Sequence, residues 1–597
     1  MKLHSLKISG YKRLKEIQVL FGDATFLIGQ NNCGKSSILK AVDILLSGKK
    51  QLTTNDYHSI LDGEKGEIKV DTNVITLEAE FRNLPIESNK WRGFKGRIFN
   101  YEIAEGSQET GLSVVYRKTY ELGKDVIIEF KSKVRKIKED FESCKKPQDF
   151  IDKGIEGSLM QNYFTELDKN ITIKQLEKLE EIDEIWEVSD EETWFKNPGG
   201  IPGNVLKMLP RFLLIPIDVG AHEIQGAGNG VLNKTLTELF ETVRENSDNF
   251  KGAQGYLESL AKELDPSDNE SEFGKMMTDL NNVLSSIFPD SKLHASTNLS
   301  EPSTLKPSFK VEMSSNIKTA VDDQGTGMIR AAVFGMLRYR QMWLSKKEDE
   351  HARSIIICFE EPETYLHPSA ANQMRDAIYE LSSGLSQIVA STHSPYLIDI
   401  SRKPRQILNR LHNNNNHVDC HTFSVSEKFI KLQEDDKQYV KMILKIDNYI
   451  SRIFFTKNVI IIEGDTEDVL IKESLRRLDR SKYLKILADF EVIKARGKAT
   501  IISLVKYLKS LGIDPIVIHD NDLNVANAAR FNQNILEAVG NKGKIIKMDN
   551  TIEDEIGYKS TYEKPFHAYK QTENWKDWDD LPENWKNKMI EIFAPYI

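Results

Sequence analysis

Acidic residues follow two apolar runs in the C-terminal part of this sequence. The runs cover residues 459–462 and 516–519, and each has the length and composition of a buried strand. The acids that follow them are Glu463, Glu467, Asp520 and Asp522. Acids at the carboxyl ends of two parallel strands point into one crevice of an α/β sheet, where they repel one another unless a divalent cation neutralises them. The pattern therefore predicts a catalytic site that binds Mg²⁺ or Mn²⁺.

A second group of residues, near the N-terminus, has the spacing of a phosphate-binding loop. Residues 29–36 read Gly-Gln-Asn-Asn-Cys-Gly-Lys-Ser, a complete G-x-x-x-x-G-K-S motif between an apolar run and a helical pattern. In such a loop the backbone N–H groups converge on phosphates at a helix N-terminus, Lys35 adds a positive charge, and the Ser36 hydroxyl ligates Mg²⁺. The predicted nucleotide-binding residues of this loop are Gly29, Asn32, Gly34, Lys35, Ser36 and Ser37.

Two further segments carry residues that suit ATP hydrolysis. The apolar run 355–359 ends in Glu360 and Glu361, and a strand of this kind is typical of a parallel sheet covered on both faces. We expect Glu360 to hold the Mg²⁺ shell and Glu361 to orient the attacking water. A short strand at 387–391 leads to His393, which can reach a γ-phosphate. Taken alone, this histidine would be interpreted as structural, but the acidic strand before it favours function.

These segments resemble the ABC-type ATPases of the RecF and SMC kind, in which Glu-Pro-Glu and His-Ser-Pro elements take the positions they hold here. The sequence departs from that family at two points. Glu360 stands where most P-loop enzymes have aspartate, and the signature loop is only approximated by residues 323–327. In the family this loop caps the ATP of a partner subunit, so Gly325 and Gly327 would complete the nucleotide site across a dimer. The alternative is an ordinary turn before a helix that starts near Met328.

The acidic segment resembles a TOPRIM unit. A strand and a glycine turn at 493–498 lie between the two acidic strand ends, in the order that TOPRIM units have. An ABC ATPase followed by a TOPRIM unit resembles the OLD family of nucleases, which includes the nuclease subunit of the Gabija antiphage system and retron-associated nucleases. This resemblance implies two metal ions and a lysine, Lys564, that stabilises the charge developing on the phosphate. The implied metal ligands are Glu463, Glu467, Asp520, Asp522 and one of Glu553 or Asp554.

The predicted fold class is α/β: an ABC/RecF-like P-loop ATPase with a helical dimerisation insertion, followed by a TOPRIM α/β domain. The expected division is an N-terminal ATPase part at 1–150, the insertion at 151–310, a C-terminal ATPase part at 311–450 and the TOPRIM nuclease domain at 451–597. Before the second ATPase part, strand-like patterns occur at 74–81 and 113–130, and helical patterns occur at 175–186 and 233–264.

Composition limits the location and partners of the protein. The chain has 597 residues, 40% of them hydrophobic, which is enough for several domains with real cores. Its four cysteines lack CxxC spacing, no signal pattern opens the chain, and no stretch reaches about 18 apolar residues, so we expect a cytoplasmic protein. The net charge of −9 does not by itself indicate nucleic-acid binding. A basic run at 131–138 suits either a phosphate backbone or, more commonly, a solvated charged face.

Together these features predict an ATP-binding, metal-dependent DNA endonuclease that is regulated by its ATPase part and acts in antiphage defence. The expected partners are DNA, further copies of the chain in a homodimer or homotetramer, and a companion protein such as a helicase or a reverse transcriptase. One alternative is a RecF- or SMC-like DNA-binding ATPase with a non-catalytic TOPRIM domain, against which the intact acids argue. Another is strand passage or primer synthesis, but the sequence has no zinc-type cysteine cluster.

Overall fold

The computed structural model describes most of the chain outside its middle third. It covers residues 1–61, 68–103, 109–217 and 353–597, with scattered positions between 247 and 337. Short gaps within these ranges lie at 165, 173–174, 180–181, 199–201, 365, 367, 383, 385, 403, 415–416, 448–449, 524, 526–529, 542 and 560–561. The chain forms two compact units, one of Met1–Ile217 with Asp349–Ile597 and the other of Asp218–Glu348. In the second unit, an antiparallel hairpin joins β12 (Glu312–Ser314) to β13 (Lys318–Ala320).

The first sheet of the larger unit is antiparallel. Its strands are β1 (Lys2–Tyr11), β2 (Leu14–Leu20), β6 (Val74–Arg82), β7 (Phe99–Glu102), β8 (Thr110–Glu121), β9 (Ile127–Ile137) and β10 (Trp186–Lys196). They lie in the order β10-β9-β8-β6-β1-β2, with β7 beside β8. Alternate residues of β6 are buried, as expected for a strand with one face on the core. The strand-like pattern at 74–81 is confirmed, and the pattern at 113–130 is confirmed as two strands with a turn between them.

The second sheet is mainly parallel and carries the phosphate-binding loop. It consists, in spatial order, of β11 (Arg211–Ile215), β14 (Ile355–Glu360), β15 (Ser386–Ser391), β3 (Ala24–Gly29), β16 (Gln406–Asn414) and the antiparallel edge strand β17 (His417–Phe423). Helix α1 (Lys35–Leu46) follows β3. Leu27 of β3, Ile38 of α1 and Phe81 of the first sheet belong to one buried apolar cluster. The two sheets therefore share a core, with α1 as part of it.

The third sheet carries the second set of acids. Its four parallel strands lie in the order β19 (Phe490–Lys494), β18 (Asn458–Ile462), β20 (Ile516–His519) and β21 (Lys544–Lys547). The helices that follow these strands are α9 (Asp465–Arg476), α10 (Arg480–Asp489), α11 (Lys498–Ser510), α12 (Phe531–Val539), α13 (Ile552–Ile556), α14 (Lys564–Thr572) and α15 (Glu583–Phe593). Ile460 and Ile518 pack in a core that includes Trp585 of α15, whose indole N–H donates to Ser474 Oγ at 2.8 Å.

The remaining elements connect these sheets. They are a hairpin of β4 (Ser59–Leu61) and β5 (Ile68–Val70), and helices α2 (Pro147–Asp152), α3 (Gly157–Tyr163), α4 (Leu176–Leu179), α5 (Pro202–Met208), α6 (Pro368–Leu381), α7 (Val425–Ile430) and α8 (Glu434–Ile446). The α/β fold class is confirmed. The helix expected at 175–186 is wrong in its length, because the described residues of this range form α4 and a short 3-10 turn, and β10 starts at Trp186. The helical pattern at 233–264 lies largely outside the described residues. None of the described helices is long and apolar enough to cross a membrane.

Candidate active site

The phosphate-binding loop joins β3 to α1. It begins at Gly29 (φ +144°) and ends at Gly34 (φ +94°), both in backbone conformations that side chains disfavour. A β-carbon at Gly29 would lie 2.2 Å from the Leu411 carbonyl oxygen of β16, so only glycine fits. The Lys35 ammonium donates to the carbonyl oxygens of Gly29 and Gln30, both at 2.9 Å. The loop is therefore closed over its lysine, and burial lowers the pKa of that lysine.

A cleft of about 410 Å³ lies over this loop and collects residues from three strand ends. Its lining residues are Arg13, Asn31, Asn32, Gly34, Lys35, Ser36, Ser37, Glu361 and His393. His393 Nε2 lies 3.5 Å from Glu361 Oε1. Glu361 has a φ of +41°, which is uncommon for a glutamate and is typical of sites whose surroundings impose the conformation. Burial, followed by the charge of Lys35, lowers the pKa of His393, so the imidazole is neutral near pH 7.

Two of the predicted nucleotide-site elements are not among the described residues that line this cleft. Glu360 ends β14 and is not among the residues that line the cleft. Gly325 and Gly327 lie outside the described residues, so the signature-like loop stays a prediction.

Two residues at or beside the nucleotide cleft were not predicted from the sequence: Arg13 lines the cleft, and Glu363 contacts His393. Arg13, in the turn between β1 and β2, lines the cleft and donates to the Asn32 carbonyl oxygen at 3.3 Å. Glu363 is half-buried, and its Oε1 accepts from Thr392 Oγ1 at 2.6 Å and from the His393 backbone N–H at 3.1 Å. Burial raises the pKa of Glu363. No sequence motif surrounds Arg13. Glu363 is the second glutamate of the Glu-Pro-Glu element, and this position could have identified it as a site residue.

The acids of the third sheet meet at the ends of β18 and β20, which are neighbours. The Asp520 backbone N–H donates to Glu463 Oε1 at 3.3 Å, so the two strand ends are in direct contact. Glu467 lies in the first turn of α9, is 4% exposed, and its Oε2 accepts from the Gly464 N–H at 3.2 Å. Asp522 has a φ of +50°, and its N–H donates to the Asn550 carbonyl oxygen at 3.0 Å. The four acids predicted to lie together therefore do so.

Crowding of these carboxylates perturbs their ionisation. Burial raises the pKa of Glu463 to about 7 and that of Asp520 to about 8, and the neighbouring acids add to both shifts. Burial also raises the pKa of Glu467. Asp520 Oδ1 is buried and has no hydrogen-bond partner in the part of the chain that the structure describes. Groups of this kind with displaced pKa values are typical of catalytic or ligand-binding sites.

The structure separates the two acids between which the sequence left a choice. Glu553, in α13, is 5% exposed, and the Lys564 ammonium lies 2.8 Å from its Oε1. Its charge acts on both Glu467 and Asp520. Asp554 is exposed, and its Oδ2 accepts from Asn550 Nδ2 at 2.8 Å and from Thr551 Oγ1 at 3.0 Å. Glu553 and Lys564 therefore belong to the acid cluster, whereas Asp554 is engaged in the turn that starts α13.

Lys498 is a member of this cluster that the sequence analysis treated only as part of a glycine turn. It is 6% exposed, and its ammonium lies 2.8 Å from Asp522 Oδ2 and 3.9 Å from Glu463 Oε1. The signal that could have identified it is its place directly after Gly497, at the carboxyl end of a strand beside the acidic ones.

The donor set fits a hard divalent cation. No group of three acidic, histidine or cysteine side chains among the described residues is already arranged around one point. The described cluster nevertheless contains five carboxylates and the two ammonium groups of Lys498 and Lys564. Asp520 Oδ1 has no hydrogen-bond partner among the described residues. Carboxylate oxygens are the ligands that Mg²⁺ prefers in proteins. The five carboxylates belong to Glu463, Glu467, Asp520, Asp522 and Glu553.

Comparison with known proteins finds an ATPase family and a TOPRIM family in this chain. Residues 1–398 match the family described as AAA ATPase domain, and residues 454–522 match the family described as Overcoming lysogenization defect protein-like, TOPRIM domain. The Old nuclease of Escherichia phage P2 is 22% identical over 540 residues, which cover 87% of this chain and 77% of that protein. Endonuclease GajA of Bacillus cereus strain VD045 is 22% identical over 530 residues, covering 88% of this chain and 75% of the relative.

Among solved structures, this chain is similar to the SmcHead bound to the C-winged helix domain of ScpA. The match covers 72% of this chain and 100% of the chain in that structure. The identity is 12% and the TM-score is 0.36, a likeness too weak to carry a structural conclusion. The family match extends over two thirds of the sequence and includes the complete phosphate-binding loop. The chain therefore belongs to the AAA ATPase domain family and joins that ATPase to an OLD-like TOPRIM domain, the combination expected of an OLD-family nuclease.

Proposed function

We propose that this protein is a metal-dependent DNA endonuclease whose ATPase part binds ATP and regulates cleavage. The observation that carries the proposal is the pair of half-buried acids Glu463 and Asp520, in contact at the ends of two parallel strands. Keeping such acids together without bound cations is unfavourable, because burial and mutual repulsion raise the pKa values of both. The names of the relatives, a nuclease and an endonuclease, support the same reaction.

We assign the metal ligands to the acid cluster, with Glu553 rather than Asp554 as its fifth member. As the OLD resemblance implies, the cluster would hold two ions, which when bound supply a Lewis acid and an activated water for phosphodiester hydrolysis. Lys564 lies beside Glu553 and is 47% exposed at its side chain, so it can also face a DNA phosphate. Its role in the proposal is to stabilise negative charge on the phosphate as the bond breaks. The proposed ligands are Glu463, Glu467, Asp520, Asp522 and Glu553.

We assign nucleotide binding to the cleft over the phosphate-binding loop. Lys35 and the loop N–H groups would hold the phosphates, and Ser36 with Glu360 would hold Mg²⁺. Glu361 and His393 face the same cleft, where the neutral imidazole and the carboxylate can orient a water against the γ-phosphate. Gly325 and Gly327 would come from a second copy of the chain, so ATP binding would require at least a homodimer.

The proposal extends to the setting of the reaction. We place the protein in the cytoplasm, since all four cysteines are free thiols. The OLD resemblance suggests antiphage defence, with insertion helices building a tetramer and a helicase or a reverse transcriptase as companion. The proposed division of labour is ATPase at 1–150 and 311–450, dimerisation at 151–310 apart from the sheet strands β10 and β11, and cleavage at 451–597.

Incubation of the purified protein with supercoiled plasmid and Mg²⁺ or Mn²⁺ tests the proposal. Nicked or linear products are expected, and they should vanish in Glu463→Ala and Asp520→Ala while ATP binding persists, because the two sites lie on separate sheets. Loss of a metal ligand should reduce the rate by several orders of magnitude. Relaxed closed circles would instead indicate strand passage. An unchanged plasmid with intact ATP binding would favour the DNA-binding ATPase with a non-catalytic TOPRIM domain.

A further inference from the structure

Lys498 is held inside the acid cluster by a complete set of hydrogen-bond acceptors. It is the first residue of α11 and follows Gly497, whose φ is +126°. Its ammonium donates to the Asp520 carbonyl oxygen at 2.6 Å and to Asn532 Oδ1 at 3.0 Å, and lies 2.8 Å from Asp522 Oδ2. An ammonium has three N–H donors, so these three acceptors satisfy it fully.

The position of Lys498 is fixed by more than its charge. Asn532, which accepts from Lys498, donates through its Nδ2 to the Asn521 carbonyl oxygen at 2.8 Å. The network therefore connects the start of α12 to all three residues of the Asp520–Asp522 segment. A lysine at a helix N-terminus faces the positive end of the helix dipole, which disfavours it there. Since the helix opposes this placement, the acids and the asparagine must stabilise it.

The lysine neutralises the carboxylates of the cluster unequally. Its ammonium lies next to Asp522 and faces Glu463 at 3.9 Å, so these two acids already have a cation beside them. Asp520, by contrast, has a buried Oδ1 that lacks a hydrogen-bond partner among the described residues. The charge of Glu467 acts on Asp520, and the nearby Lys564 is paired with Glu553. The demand for a further cation is therefore greatest at Asp520.

We propose that Lys498 is a positioning residue that occupies one cation position of the cluster, so that one divalent ion binds tightly on the Asp520 side and a second binds only weakly. The second ion must compete with the ammonium for Asp522 and Glu463. This inference rests on the proposed function, because it assumes that the same carboxylates bind metal. Its consequence is that cleavage would require a higher metal concentration than occupancy of the first site does.

Isothermal titration of the full chain with Mn²⁺, without nucleotide or DNA, tests the inference. Wild type should show one tight event and a second that is at least tenfold weaker. Lys498→Met removes the charge and should strengthen the weaker event by about tenfold or more. The matched control is Lys506→Met, on the same helix but paired with Asp436 at 2.9 Å outside the cluster, which should leave both events unchanged.

Two further variants separate charge from damage to the fold. Lys498→Arg keeps the positive charge and should resemble wild type, whereas Lys498→Gln removes the charge but retains hydrogen-bonding groups and should behave like Lys498→Met. Structural damage would weaken Mn²⁺ binding, whereas removal of the charge should strengthen the weaker binding event. Two binding events that are unchanged in both neutral variants overturn the inference and leave the proposed function standing. No Mn²⁺ binding by any of the proteins would remove both.

Discussion

The metal-free acid cluster should make the folded protein less stable as the pH rises. Burial raises the pKa of Glu463 from 4.5 to about 7 and that of Asp520 from 3.8 to about 8. At a pH below their ordinary pKa values of 4.5 and 3.8, both carboxyls are protonated in the folded and the unfolded chain. As the pH rises further, the unfolded chain releases protons that the folded protein still holds, so the free energy of unfolding falls. The loss is complete only above pH 8.

The size of this effect follows from the shifts. One pKa unit corresponds to about 1.4 kcal/mol, so Glu463 alone accounts for about 3 kcal/mol. Asp520 adds to this, but the two acids repel each other and lose their protons as a coupled pair, so the sum is smaller than two independent shifts. A divalent ion binds the ionised form and reverses the loss, so stabilisation by Mn²⁺ should grow with pH.

Thermal unfolding between pH 5 and 9, with EDTA or with Mn²⁺, measures both effects. In EDTA at pH 8, Glu463→Gln and Asp520→Asn should each unfold at a higher temperature than wild type, because the neutral amide removes the repulsion. Both variants should lose most of the stabilisation by Mn²⁺. Asp554→Asn, altered at an exposed acid outside the cluster, serves as the control. Equal pH dependence in wild type and in both cluster variants would refute the reasoning.

Three further outcomes are expected. Lys35→Ala should weaken ATP binding and change the nucleotide dependence of plasmid cleavage, while Mn²⁺ binding stays intact. If wild type and Lys35→Ala both cleave equally with no nucleotide, with ATP and with a non-hydrolysable analogue, regulation by the ATPase is excluded. Light scattering should find at least a dimer at micromolar concentration, and a monomer with and without ATP would contradict the shared nucleotide site. Glu553→Gln should abolish cleavage and Asp554→Asn should retain it, since of these two acids Glu553 is the one that contacts Lys564. The reverse pattern would make Asp554 the metal ligand.

Local sequence patterns were sufficient to predict the strands that carry both sites. The apolar runs at 355–359, 459–462 and 516–519 are confirmed as β14, β18 and β20. Each run is short and mostly apolar and is followed by acids, and these properties are visible without knowledge of the fold. The contact between Glu463 and Asp520 then follows from one rule, that parallel neighbours in a sheet expose their carboxyl ends at the same edge.

Residues whose partners are distant in sequence could not be predicted in this way. Lys498 meets Asn532 across 34 residues, and the contact depends on how α11 and α12 pack. Arg13 reaches the nucleotide cleft only because the turn between β1 and β2 lies beside the phosphate-binding loop. Arg13 has no sequence signal of its own, and the glycine before Lys498 indicates only that a strand ends there, not which residues the lysine contacts.

The segment around β10 shows how tertiary pairing overrides a local pattern. The helical period at 175–186 is followed by an acidic stretch that pairs with the basic run of β9. Lys133 Nζ lies 2.8 Å from Asp190 Oδ1, and Lys131 pairs with Glu192. Ladder hydrogen bonds and cross-strand ion pairs favour a strand there. These pairs also favour the interpretation of the basic run as a charged face.

The contacts between the ATPase sheet and the TOPRIM sheet give a physical basis for regulation. His393 faces the nucleotide cleft, and two residues later the Pro395 carbonyl oxygen accepts from Ser451 Oγ at 2.6 Å. Ser451 is 1% exposed and lies in the turn that leads into β18, which ends beside Glu463. Arg410 of β16 makes a second connection, to the Thr456 carbonyl oxygen at 2.8 Å. A movement of the histidine segment on nucleotide binding would therefore act through a short chain of contacts on the strand that carries the nuclease acids.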